Sequence, residues 1–125
     1  MKVIIDSDAW VEYLDGSVKG RKVEQILSRE DAYTLPLTIA EVVSRAQRLH
    51  KDAALAYETL VTDSKITEID AEISKEAGLF HAVVREKIKD FGIVDSFILV
   101  TARKINAKIL TGDMHFKGFK EAILI

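Results

Sequence analysis

The stretch that most constrains the fold is residues 91–113, FGIVDSFILVTARKINAKILTGD. Ile93, Val94, Phe97, Ile98, Leu99, Val100 and Ile105 predict a helix apolar around most of its circumference, which must lie buried between other elements. One acid, Asp95, interrupts it. Leu99 and Ala102, four and seven positions on, place that carboxylate on a face that would otherwise be core. A buried carboxylate costs several kcal/mol unless it is paired or bound to a metal, and no Lys or Arg lies within one turn. Asp95 therefore needs a partner from elsewhere in the chain. The same stretch continues as a short strand, 108–110, and ends on Thr111-Gly112-Asp113, a second acid at a strand terminus.

The other elements follow from the same patterns. Lys2 to Ile5 is an apolar β run ending at Asp6-Ser7-Asp8, and 9–14 reads as a short helix. A turn at 15–17 leads to a helix over 18–29 and a second strand, 32–35, stopped by Pro36. Helical spacing resumes from Thr38 through Leu49, breaks at 50–52, and restarts behind Asp52 as a cap. A third strand is expected over 66–69, then a long helix capped by Asp70 and running to a charged end at 85–90. Residues 122–125 form a last strand. Strands alternating with helices predict an α/β fold with a central, mostly parallel sheet of about five strands covered by helices on both faces.

At 125 residues the chain is expected to form a single domain over 1–125, and 48% hydrophobic content suffices for a core. There are no cysteines, so disulfides and thiolate metal sites are excluded, as fits a reducing cytoplasm. The opening MKVIID is broken by Asp6 and Asp8 and is no signal peptide; no apolar run approaches the roughly 20 residues of a membrane span. The expected location is the cytoplasm. A net charge of −2 argues against a general electrostatic grip on nucleic acid and leaves only local basic patches. One Asn and two Gln among abundant Lys, Glu and Ile give a faint heat-adapted signature.

In parallel sheets functional side chains collect beyond the carboxyl ends of the strands. Asp6 follows the first strand, Asp113 the fourth, and Glu41 lies on the helix after the second. Each has an ordinary structural explanation. Asp6 or Ser7 serves as a helix cap, Thr38 to Glu41 spells a capping box, and Asp113 suits a turn after Gly112. The argument rests on the set. Several carboxylates on one rim repel each other, raising their pKa values or demanding a cation. Oxygen ligands without Cys or clustered His select Mg²⁺ or Mn²⁺, one or two ions, over Zn²⁺. Such a site hydrolyses phosphodiesters by activating water and stabilising the leaving oxygen.

These residues resemble the PIN domain family, and most nearly its small stand-alone ribonuclease toxins of the VapC type. The resemblance runs through the strand into Asp6-Ser7-Asp8, Ala40-Glu41-Val42, Val94-Asp95-Ser96 with Thr101-Ala102, and Ile109 to Asp113 followed by His115-Phe116. It implies a three-layer α/β/α sandwich and a Mg²⁺- or Mn²⁺-dependent endoribonuclease whose metal is held by Asp6, Glu41, Asp95 and Asp113. Ser7 and Thr111 would stand beside the metal and place water or phosphate. It further implies a homodimer and a cognate antitoxin protein. One departure stands out: where many relatives carry Asn or Ser, this chain has Asp8, an additional candidate ligand.

Arg45, Arg48 and Lys51 follow Glu41, and Lys117 and Lys120 follow Asp113; they read either as a margin that holds RNA phosphates or as solvated surface. His50, His81 and His115 lack zinc-site spacing; His81 reads as structural, and His115 sits near enough to Asp113 to reach substrate. Trp10, Tyr13 and Tyr57 suit core or an interface. Two rival functions remain at this level. Ile4 to Asp8 also resembles the opening of haloacid-dehalogenase phosphatases, although no further acid follows Asp113 by four residues. The other rival is a PIN-like module that binds RNA or protein without cutting.

Overall fold

Val3, Ile4 and Ile5 are all fully buried, which a strand achieves only when both of its faces are covered. This strand, β1 (Lys2–Ile5), is the centre of the molecule in the computed structural model, which describes residues 1–125. Five strands pair in the order β3-β2-β1-β4-β5, every pair parallel: β2 is Asp31–Thr34, β3 Lys65–Ile66, β4 Lys108–Thr111 and β5 Ala122–Leu124. Val3 and Ile5 point into one core with Trp10, Val23, Val42, Leu60 and Leu110. Ile4 points into a second core with Leu35, Phe91, Ile98, Leu99, Ile109 and Phe116.

The first core is roofed by α1 (Ser7–Leu14), α2 (Val18–Arg29), α3 (Pro36–Arg48) and α4 (Ala53–Asp63). The second is roofed by α5 (Ala71–Val84) and α6 (Ile93–Ile105). The three-layer arrangement expected from the chain is thus observed. Trp10 is core rather than interface: it is fully buried and its Nε1 donates to Thr34 Oγ1 at 3.0 Å. Because Ser64 Oγ donates to the Leu60 carbonyl at 2.7 Å, the 2.6 Å contact between Thr34 and Ser64 is satisfied by a proton from Thr34. A continuous donor chain therefore ties α1, β2 and the end of α4 together.

Several boundaries differ from the sequence reading. The second strand ends at Thr34, and α3 starts at Pro36 rather than Thr38, with Pro in the first turn where its missing N–H is harmless. The third strand covers Lys65–Ile66 instead of 66–69, because its neighbour β2 offers only Tyr33 and Thr34 for pairing. The long helix stops at Val84, and 85–90 forms turns. α6 is less enclosed than its composition suggests: Ile93 is exposed, whereas Ser96, Ile98, Leu99, Thr101 and Ala102 are buried. It ends on Asn106 in the left-handed conformation (φ 58°), a residue type that tolerates that region.

The strand order determines where a site belongs. From β1 the chain winds outward through β2 to β3, then returns to β4 on the other side of β1 and continues to β5. The reversal falls between β1 and β4, and the crevice beyond the carboxyl ends of those two strands is the preferred ligand position in such sheets.

Candidate active site

Asp6 stands at that crevice. Its backbone N–H donates to Leu110 O at 3.0 Å, pinning the end of β1 to β4. Asp6 Oδ1 accepts from Ser7 N at 2.8 Å as the N-cap of α1, so the expected capping role is real. The cap uses only one oxygen. Oδ2 accepts from the Thr111 hydroxyl at 2.8 Å, and Thr111 Oγ1 in turn accepts from Asp113 N–H at 2.9 Å. Asp8 Oδ1 lies farther from the same hydroxyl, at 3.4 Å, so the single proton goes to Asp6. Thr111 is fully buried and fastens the two strand-end acids to each other.

Asp113 begins a single 3₁₀ turn, Met114–Phe116, held down by Phe116, which is fully buried with its ring 5.5 Å from that of Phe91. The turn brings His115 back onto Asp113: Oδ1 accepts from His115 N at 2.9 Å and lies 2.9 Å from His115 Nδ1. Asp95 is in the first turn of α6, not in its apolar body; its Oδ2 accepts from Gly92 N–H at 2.9 Å, and the positive helix end favours its charge. This corrects the sequence reading, which set Asp95 against the core. Ligand atoms of Asp95, Asp113 and His115 all lie within 4.8 Å of one another. His115 carried little weight in the sequence because its proximity depends on the 3₁₀ turn; its place two residues after Asp113 was the available signal.

The Thr38–Glu41 capping box does not form. With α3 starting at Pro36, Thr38 is already inside the helix, fully buried, and its hydroxyl has no partner. Glu41 is left free at the rim. It lines a cavity of about 270 Å³ with Ser7, Asp8, Arg45 and Arg48. Asp8 backs onto Gly112, where an added Cβ would sit 3.0 Å from Asp8 Oδ2. Of the other cations, Lys51 pairs with Asp15 at 2.6 Å, and no contact joins the exposed Lys117 to the acids. His81 is structural, with Nε2 donating to the Phe91 carbonyl at 3.0 Å.

The acids act on one another. Burial pushes Asp6 up to about 7, with Asp8 and Asp95 adding to the rise and the hydrogen bonds from Thr111 and Ser7 opposing it. Asp8 is raised by burial and by Asp113. Asp95 is raised by burial, then by Asp113 and Asp8 against the opposing Gly92 hydrogen bond. Glu41 is raised by burial, then by Asp95 and Asp8, while the Ser7 hydroxyl lowers it. No Lys or Arg forms an ion pair with any of the five carboxylates. The structure therefore brings together Asp6, Asp8, Glu41, Asp95 and Asp113, with Ser7, Thr111 and His115 between them.

Comparison with known proteins agrees with this architecture. The fold is similar to VapBC2 from Rickettsia felis bound to a promoter DNA fragment (TM-score 0.77, 16% identity, covering 100% of this chain and 98% of that one). It is also similar to a toxin–antitoxin complex from Klebsiella pneumoniae (TM-score 0.73, 18% identity, 97% and 95%). A third likeness is to VapC20 from Mycobacterium tuberculosis, a Sarcin-Ricin loop cleaving toxin (TM-score 0.70, 19% identity, 95% and 97%). Among curated proteins none matches by sequence. The PIN domain family model matches residues 3–122, nearly the full length. On that match the chain, whose acids gather at the crevice beyond β1 and β4, belongs to the PIN domain family.

Proposed function

We propose that the chain is a metal-dependent endoribonuclease, the toxin of a toxin–antitoxin pair. The observation that carries this reading is the set of five carboxylates at the switch point of the sheet, with no Lys or Arg paired to any of them. Such a set is stable in the charged form only around a cation, and its hard oxygen donors suit Mg²⁺ or Mn²⁺. Asp6, Asp95 and Asp113 would hold the ion, with Glu41 and Asp8 as further donors. His115 Nδ1 is already taken up by Asp113, so its role is to orient that carboxylate. A bound ion would supply neutralisation of the acids and Lewis-acid polarisation of a phosphodiester.

The chain's own residues do the rest. Glu41, open to solvent and with raised proton affinity, accepts the proton of the attacking water, with the Ser7 side chain setting its position. Thr111 holds Asp6 and Asp113 in register rather than holding water itself. Arg45 and Arg48, on the wall of the cavity shared with Glu41, take flanking phosphates. Water adds to phosphorus, the P–O bond to the neighbouring nucleotide breaks, and the departing oxygen is protonated from solvent.

RNA as substrate and an antitoxin as partner are supported by the similar structures, which include a toxin–antitoxin complex, VapBC2 on promoter DNA and a toxin that cleaves the Sarcin-Ricin loop. No helix is long and apolar enough to cross a membrane. A homodimer belongs to the same reading. The phosphatase alternative loses its basis, since the opening strand and Asp6 fall inside the PIN match. The test is cleavage of mixed structured RNA by purified chain with Mg²⁺, with Mn²⁺ and with EDTA, beside Asp95→Asn and Asp113→Asn. Metal-dependent cleavage should fall about a hundredfold or more in both variants. An active Asp95→Asn protein, or cleavage undiminished by EDTA, would refute the assignment; metal binding with no cleavage of any RNA would favour the non-cutting module.

A further inference from the structure

Beside the acid rim, on the β3 side, a groove runs between the start of α3, the 67–70 segment and α6. Its outer part, a cavity of about 630 Å³, has apolar walls of Pro36, Leu37, Ile69 and Phe97. Its inner part, about 350 Å³, is lined by Tyr33, Thr101 and Lys104 among others. Thr67, Glu68 and Asp70 line both parts, so the two adjoin. Volumes of this order are those of small-ligand sites, about 300–1,000 Å³. Leu37 precedes Glu41 by one helical turn, so along α3 the groove adjoins the rim, while Phe97, two residues past Asp95, stands on a different side of α6.

Its polar groups are unspent. Thr67 Oγ1 and Thr101 Oγ1 are buried without any hydrogen-bond partner, and Thr101 is only 1% exposed. Buried hydroxyls almost always have partners, so two orphans in one groove point to a bound molecule that supplies them. Glu68 and Lys104 are exposed and form no ion pair, and Asp70 spends only Oδ1, on the cap of α5 at Ile73 N. Apolar walls with an aromatic ring, two hydroxyls, two acceptors and one cation are the complement of a single nucleotide.

Resting on the ribonuclease reading, we propose that this groove binds the nucleotide next to the cleaved bond and selects its base. The base lies against Phe97 and Leu37, the ribose meets Thr67 and Thr101, and the following phosphate reaches Lys104. Free carboxylate oxygens on Glu68 and Asp70 face the base edge, which favours a base bearing an exocyclic amino group over uracil.

The test uses single-stranded RNAs that differ only in the bases flanking the cleaved bond, with cleavage in Mn²⁺ and, separately, binding to the Asp95→Asn chain by fluorescence anisotropy. Wild type should prefer an amino-bearing base to uracil by about tenfold. Glu68→Gln, an exposed change at the base edge, should erase most of that preference through KM and through anisotropy, whereas Thr101→Val, which keeps volume and removes a ribose contact, should weaken binding of all the RNAs alike. Equal preference in wild type and Glu68→Gln, or Thr101→Val binding every RNA as tightly as wild type, overturns the groove while leaving the nuclease intact. Failure of the nuclease reading looks different: no metal-dependent cleavage of any RNA, whatever the groove binds. A dimer in solution that Leu37→Glu converts to monomer would assign the groove to a second copy instead and overturn the proposal.

Discussion

The two ends of the sheet treat charge in opposite ways. At the amino ends of the strands, three acids have cations: the Met1 amino group lies 2.9 Å from Glu30, Lys65 3.1 Å from Asp31, and Arg103 3.1 Å from Glu121. Asp31 is accordingly held below the usual carboxylate range by the hydrogen bond from Lys65. Glu121 is also lowered despite its burial, by its own backbone N–H and by Arg103, whose guanidinium lies over the rings of Phe80 and Phe119. At the carboxyl ends Asp6, Asp8, Glu41 and Asp95 are all raised. One chain, with nearly balanced charge, thus gives acids a cation at one end and gathers them without Lys or Arg at the other. A fold under pressure for stability alone would pair both ends. The unpaired end is where destabilisation is tolerated because a ligand relieves it.

Removing the charge conflict should therefore have its largest effect at Asp6. Its carboxyl rises from an ordinary 3.8 to about 7 in the folded chain, so between those values the native state holds a proton that the unfolded state has lost. Stability contributed by this group is present below pH 4 and drains away as pH rises through 7, by about 4 kcal/mol in all. Urea unfolding in EDTA should show the wild type weaker at pH 7.5 than at pH 5. Asp6→Asn keeps a cap acceptor for Ser7 and should flatten that slope. Saturating Mn²⁺ should restore wild-type stability at pH 7.5 and leave the variant unmoved. A wild type that gains stability between pH 5 and 7.5 without metal would break the contrast between the two ends.

Much of this contrast was legible in the sequence, and the parts that were not have local causes. Asp6 and Asp113 were readable because each closes a short apolar strand, and a parallel sheet sends both strand ends to one rim. Glu41 was found, but its competing explanation as a cap fell only when Pro36 proved to start α3 two residues earlier than the pattern suggested. Asp95 was found for an inaccurate reason. The apolar run 93–100 hid the helix start, since Gly92 supplies no side-chain cap and Asp95 itself caps backward onto Gly92 N–H. His115 depends on a three-residue turn anchored by Phe116, a tertiary contact with no periodic signature. The paired end was invisible, because Arg103 and Glu121 are 18 residues apart and meet only through the β4–β5 register.

At that paired end, Arg103→Met should be the most damaging single change. Methionine keeps contact with Phe80 and Phe119, but Glu121, only 7% exposed and with Oε1 already lacking a partner, would lose the cation on Oε2. An expected loss of about 1–3 kcal/mol should appear in urea unfolding at pH 7.5 and shrink only as pH falls below the lowered folded-state range of Glu121, where the group is protonated in both states. RNA cleavage should be unchanged, since nothing at this end touches the acid rim. A variant as stable as wild type would mean that the amino-end pairs are surface decoration and that the comparison reduces to the rim alone.

The finest test separates the position of an acid from its charge. Gly112→Ala adds one methyl group that would stand 3.0 Å from Asp8 Oδ2 and 3.6 Å from Ile125 Cγ1, without altering any ionisable group. Asp8 must then shift by a few tenths of an ångström, and its Oδ1, already at the long end of hydrogen bonding with Thr111 at 3.4 Å, moves with it. If Asp8 helps to hold the cation, Mn²⁺ affinity measured by calorimetry should weaken several-fold while fold stability changes by about 1 kcal/mol or less. Asp8→Asn makes the complementary change, keeping the position and removing the charge; it should lower metal affinity and raise metal-free stability, because it relieves Asp6. Equal metal affinity in wild type, Gly112→Ala and Asp8→Asn would place Asp8 outside the binding set. Its charge would then act only by raising Asp6, and the cation would rest on Asp6, Glu41, Asp95 and Asp113.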